Sequence, residues 1–162
     1  MKKIFFLGQA PARPTSKHDI PGTYLHAWLH SIGFSDEIIK GYCSFYALTD
    51  NFPGATKNGH LAPTKQQIST HRPLLQKALF EIQPDIVVPV GKMAIAELLQ
   101  APYSLEETIG HTFHINPLGA LPGEILCIPF SHPSGRNAWN HTHKDSVRRA
   151  LQQLKDSSLL DA

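Results

Sequence analysis

Two short stretches combine residue types that could do chemistry on a polar ligand. Residues 131–137 read SHPSGRN, so His132 is followed by a proline, the hydroxyl of Ser134, Gly135, and then Arg136 and Asn137. The proline fixes the backbone locally and the glycine lets it approach a ligand closely. A histidine placed this way can donate a hydrogen bond to a carbonyl or leaving-group oxygen, while Ser134 and backbone N–H groups can hold a phosphate. The second stretch, GQAPARP at 8–14, has one glycine and two prolines and predicts a rigid loop that offers N–H groups to a ligand. Taken alone it is weak, because many α/β proteins leave their first strand through glycine and proline. An isolated histidine is more often structural than catalytic, and it is the neighbours of His132 that shift the balance.

The elements that must position these loops alternate. Ile4 to Leu7 is a short apolar run ending at Gly8, as in a buried parallel strand. A helix is expected from Thr23, with Leu25, Trp28, Leu29 and Ile32 at helical spacing and a stop at Gly33. Tyr42 to Leu48 reads as a second strand and Thr49 to Ala62 as a loop. Thr64 and Gln67 form a capping-box pattern that opens a helix ended by Pro84. Ile86 to Val90 is the clearest strand, and Gly91 turns it directly into a helix carrying Met93, Ile95, Leu98 and Leu99. Thr112 to Ile115 and Ile125 to Phe130 form a further extended pair, followed by the His132 loop and a final helix from about Thr142 to Leu154. The expected architecture is therefore α/β: a three-layer sandwich with a central parallel sheet of about four strands, in a single domain over 1–162. In such a sheet ligands bind at the carboxyl ends of the strands, which puts both loops on one edge.

Composition narrows the class. With 162 residues, 41% of them hydrophobic, the chain can build one continuous core. The net charge of +2 does not announce a nucleic-acid binder, but bases cluster at 51–80 (Lys57, Lys65, Arg72, Lys77) and at 131–149 (Arg136, Lys144, Arg148, Arg149). If the fold joins the two clusters they make a phosphate-tracking face; otherwise they are ordinary solvated helix faces. Cys43 and Cys127 are too few for a disulfide framework or a thiolate cluster, and they read as reduced core residues of a cytoplasmic protein. The N-terminal Lys2–Lys3 followed by IFFLG imitates a secretory signal, but its apolar run is too short, so it is kept as a strand. No stretch reaches the ~20 apolar residues of a membrane span. Neither His141 with His143 nor His111 with His114 has a third ligand at a recognised spacing, so no metal and no cofactor are expected.

The two loops resemble the first and last motifs of uracil-DNA glycosylases: GQAPA at 8–12 and HPSGRN at 132–137, in the same order. Between them, LAPTKQQISTHRPLL at 61–75 and QPDIVVPVGKMAIAELL at 83–99 resemble the central helix, strand, glycine turn and helix of the bacterial and archaeal branches. The resemblance covers roughly Phe5 to Leu154. It implies a DNA-repair enzyme that flips a base into a pocket at the sheet edge and hydrolyses its N-glycosidic bond, with DNA as its partner, no membrane, and a monomer as the expected state. His132 would stabilise the base leaving as an anion, while Gly8, Gln9, Ala10 and Pro11 would hold the base and position water. Ser131, Ser134 and Gly135 would bind the phosphate backbone, and Arg136, Asn137 and Trp139 would enter or flank the minor groove. For Trp139, an aromatic packed on the last helix is an equal reading.

Departures from the family pattern bear on activity and specificity. Several branches carry a carboxylate or amide in the first motif to activate or orient water, whereas this chain has Gln9 and Ala10. Asp19, or else Asp50, is the candidate replacement, although a loop aspartate commonly serves turn geometry. Tyr46 stands where the iron-sulfur branches place a base-reading asparagine, and the four cluster thiolates of those branches have no counterpart. Tyr24 could stack on a flipped base or sit in the core. The competing expectation is a noncatalytic module that binds a nucleobase or nucleic acid with the same pocket. A nucleotide-metabolising enzyme is disfavoured, because neither a Walker loop nor a dinucleotide glycine fingerprint is present.

Overall fold

A computed structural model describes residues 1–9, 18, 20–49, 55–56, 59–60, 62–101, 103–134 and 137–159. The chain opens with β1 (Ile4–Gly8), α1 (Thr23–Ser31), α2 (Asp36–Tyr42) and β2 (Cys43–Ala47). It continues through β3 (Ala55–Thr56), β4 (Gly59–His60), α3 (Lys65–Ile82), β5 (Ile86–Pro89) and α4 (Lys92–Leu99). Last come α5 (Leu105–Thr108), β6 (Phe113–Ile115), β7 (Ile125–Cys127), α6 (Ala138–Thr142) and α7 (Lys144–Leu159). The central sheet has the order β2-β1-β5-β7-β6. The first four of these are parallel, in registers such as Phe6 opposite Phe45 and Phe5 opposite Val87. β6 lies antiparallel to β7 at the edge, so the sheet has five strands rather than about four and is mostly parallel.

Strand alternation builds the two outer layers. Ile4, Phe6, Val88, Ile128 and Phe130 face α1, α2 and α7 through Leu25, Leu29, Ile39, Ala150 and Leu154. Phe5, Leu7, Val87 and Cys127 face α3 and α4 through Ile68, Leu75, Leu79, Ala94 and Leu98. Each large side chain buried this way contributes about 1.5–3 kcal/mol. The expected three-layer arrangement follows from strands that are apolar on both faces, as in Ile86–Pro89, where every residue is buried.

Several boundaries differ from expectation. Tyr42 ends α2 instead of opening a strand. Ser35 caps that helix by accepting from the Ile38 N–H, and Asp36 and Glu37 suit its first turn. The 49–62 segment, expected as loop throughout, contains the short antiparallel pair β3 and β4. Thr64 and Gln67 close their capping box at 3.1 and 2.8 Å. The last helix, expected from about Thr142 to Leu154, is α7 and runs from Lys144 to Leu159, and a short helix, α6, precedes it and ends at His143.

Among the described residues, Arg72 and Lys77 do not join Arg148 and Arg149 in one face, while Lys57 and Arg136 lie outside the described residues. α3 and α7 cover opposite faces of the sheet, so Arg72 and Lys77 are separated from Arg148 and Arg149 by the whole sheet layer. Arg72 pairs with Glu97 at 2.6 Å, Lys77 with Glu81 at 3.9 Å, and Arg148 with Asp145 at 3.2 Å.

Candidate active site

The carboxyl edge of the sheet is knit by backbone hydrogen bonds that join the ends of four strand segments. Val90 donates to the Leu7 carbonyl at 2.8 Å, Leu48 to that of Gly8 at 2.9 Å, and Gly91 to that of Phe130 at 2.8 Å. Phe130 in turn donates to the Pro89 carbonyl at 2.9 Å. Gly8, Gly91 and His132 therefore sit on one edge, as the alternation of elements predicts. Gly91 has φ +92° and ψ 163°, a region open essentially only to glycine. A Cβ there would stand 3.9 Å from His132 Cδ2, so the histidine rests directly over the turn that starts α4.

His132 is held through its backbone while its ring is exposed at the edge. Its carbonyl accepts from the Ser134 N–H at 2.9 Å, from Asn137 Nδ2 at 3.0 Å and from Asn140 Nδ2 at 2.9 Å. Asn140 also accepts from the hydroxyl of Ser131 at 2.6 Å. The proline and these amides thus fix the base of the side chain and leave the imidazole free to meet a ligand. Partial desolvation of the ring lowers its pKa from the usual histidine value, which favours the neutral form.

The other expected residues fall into three groups. Gly8 and Gln9 are half-buried at the carboxyl edge, and Tyr24 is 56% exposed in the first turn of α1, which rules out the core reading for it. Ala10, Pro11, Asp19, Asp50, Gly135 and Arg136 lie outside the described residues. The remaining residues are engaged within the protein. Ser131 is 1% exposed and its hydroxyl is bonded to Asn140, so this side chain supports the loop and does not reach a phosphate. Asn137 caps α6 by accepting from the Trp139 N–H at 3.1 Å. Trp139 stacks on His143 at 4.1 Å and donates to Glu106 at 3.3 Å, the packed aromatic reading. It lines a cavity of about 410 Å³ together with Lys92 and Tyr103. Tyr46 lies between two rings, Phe5 at 4.8 Å and His18 at 3.9 Å. Its pKa is raised first by burial and then by the charge of Glu81.

Asn140 was not among the residues singled out from sequence. Its only signal is its place three residues after Asn137, which puts it back over the loop once α6 forms. Neither Cys43 nor Cys127 can serve as a cluster ligand: both are buried, on strands separated by other strands of the sheet, and burial pushes each thiol up to about 12. His143 stacks on Trp139, with Glu106 3.3 Å away.

No curated protein matches the chain. The model of the uracil DNA glycosylase superfamily matches residues 1–155 of the 162, spanning every element from β1 into α7 and both loops of the carboxyl edge. With the sheet order, the shared edge and the anchored His132, that match shows that the chain belongs to the uracil DNA glycosylase superfamily.

Proposed function

We propose that this protein is a DNA glycosylase that hydrolyses the N-glycosidic bond of uracil or another deaminated base, acting on a nucleotide flipped out of the stack. The observation that carries the reading is His132, its carbonyl fixed by Ser134, Asn137 and Asn140 and its ring exposed on the edge that also holds Gly8 and Gln9. In a dissociative cleavage the sugar gains oxocarbenium character and the base departs as an anion. A neutral imidazole then donates a ring N–H to the oxygen where that charge develops, and it is already oriented when the bond breaks. Gly8, Gln9, Ala10 and Pro11 hold the base, and Tyr24, exposed at the start of α1, stacks on it. Asp19 or Asp50 supplies the water-orienting group that Gln9 and Ala10 lack. Ser134, Gly135 and Arg136 take the phosphate backbone, while Asn137 and Trp139 hold the loop and α6 in place beside them.

The test is a single-turnover assay on end-labelled oligonucleotides carrying uracil, hypoxanthine, xanthine or a T·G mismatch, read as alkali-labile sites. Wild type should cut at least one substrate. His132→Ala should lose ~100- to 1000-fold in rate while DNA binding is little changed, because removing one preorganised donor costs about that much. Undiminished cutting by His132→Ala would reject the assignment. Binding of the DNA without any cutting by wild type would favour a noncatalytic nucleobase-binding module, the outcome consistent with a first motif that has no carboxylate.

A further inference from the structure

On α1 and α2, three side chains from two helices converge. His26 and His30 are four residues apart on α1 and share one of its faces. Asp36 opens α2 on the far side of the turn at Gly33, whose φ of +93° lets the chain reverse there. His26 Nε2 and His30 Nε2 each lie 2.8 Å from the same oxygen, Asp36 Oδ1. All three ligand atoms lie within 4.8 Å of one another. The imidazoles are 42% and 44% exposed and the carboxylate 73%, so an ion from solvent can reach them.

We propose that His26, His30 and Asp36 form a binding site for a zinc-type divalent transition-metal ion, which staples α1 to α2. The donor chemistry selects the ion. Two imidazole nitrogens and one carboxylate oxygen suit zinc and its first-row neighbours, with a water completing a tetrahedron. Calcium and magnesium, which prefer all-oxygen sets, are disfavoured. An ordinary ion pair would need only one histidine beside Asp36; here both present the same ring atom to one oxygen. An ion held there joins α1 to α2, and its binding is independent of the glycosylase reading.

The experiment uses tag-free protein stripped with a chelator and titrated with Zn²⁺ against a colorimetric competitor. One saturable equivalent is expected. Melting temperature should rise by roughly 5–10 °C at zinc about 100-fold above Kd, by mass action on the folded state. Magnesium and calcium should give no shift. His26→Gln, His30→Gln and Asp36→Asn should each weaken zinc binding by more than ~10-fold, with metal-free melting close to that of the metal-free wild type. His114→Gln, on β6, should bind as wild type does. Absence of a saturable equivalent would overturn the proposal, as would undiminished binding by the His26→Gln, His30→Gln double variant.

Discussion

In the proposed reaction the edge relies on the His132 imidazole, with Asn140 and Ser131 behind it. Asn140 links the buried hydroxyl of Ser131 to the carbonyl of His132, so Asn140→Ala removes two hydrogen bonds and leaves a buried hydroxyl unsatisfied. An unpaired buried polar group costs about 1–3 kcal/mol, and a lower melting temperature should report it. If Asn140 acts by positioning His132, its loss should also slow excision in wild type yet have little further effect in the His132→Ala background. Equal rate losses in both backgrounds would mean an independent role. The lowered pKa of His132 has a definite consequence for pH. An unfolded histidine takes up its proton near 6.5, whereas the folded one does so only at lower pH. Between those values the unfolded state binds more protons, so this residue's contribution is complete above about 6.5 and stability falls as pH drops through the window. Melting at pH 7.5 and 5.5 should therefore show a smaller acid-induced drop for His132→Gln than for wild type.

At the scale of elements, α7, which follows the His132 loop and α6, carries exposed bases suited to the proposed phosphate contacts. α7 begins after that loop and its far end returns to the amino edge, where the Lys2 N–H bonds the Ser158 carbonyl at 3.3 Å. Its first turns therefore lie at the carboxyl edge. Lys144 and Arg148 are exposed there, and the Arg148–Asp145 pair is a surface contact of little strength. Arg149 instead lies against the turn at Gly110, with its Cδ 3.4 Å from where a Cβ would stand. Lys144→Ala with Arg148→Ala should reduce the slope of log affinity against log salt by roughly 2, about one unit for each phosphate that is no longer neutralised. The single-turnover rate at saturating protein should not change. An unaltered slope would place the DNA elsewhere.

For the whole molecule, the two faces of the sheet decide what the cysteines can do. Cys43 and Cys127 are buried, and a thiol whose pKa is pushed up to about 12 has almost no thiolate at neutral pH. Iodoacetamide should therefore modify neither in the native protein and both after denaturation. Rapid native labelling would mean that strands β2 or β7 open far more readily than their burial implies.

Local sequence determined the elements whose signals are local. The apolar runs at Ile4 and Ile86, the capping box at Thr64 and the glycine turn at Gly91 each specify their own conformation, and their alternation dictates a parallel sheet with both loops at one edge. Motif order carried the family. Tertiary structure decided the rest, because it depends on which residues meet across the chain. α2 was hidden because a seven-residue helix offers too short a period to read. The sequence leaves open whether the two basic clusters share a face, and the alternating faces of the strands settle it for α3 and α7, sending Arg72 and Lys77 to the opposite side from Arg148 and Arg149. Asn140 gained its role only when α6 folded back over the His132 carbonyl, and Asp36 met His26 and His30 only when the chain reversed at Gly33. Such convergence is invisible to spacing rules, since ligand atoms from different elements are brought together by packing rather than by period.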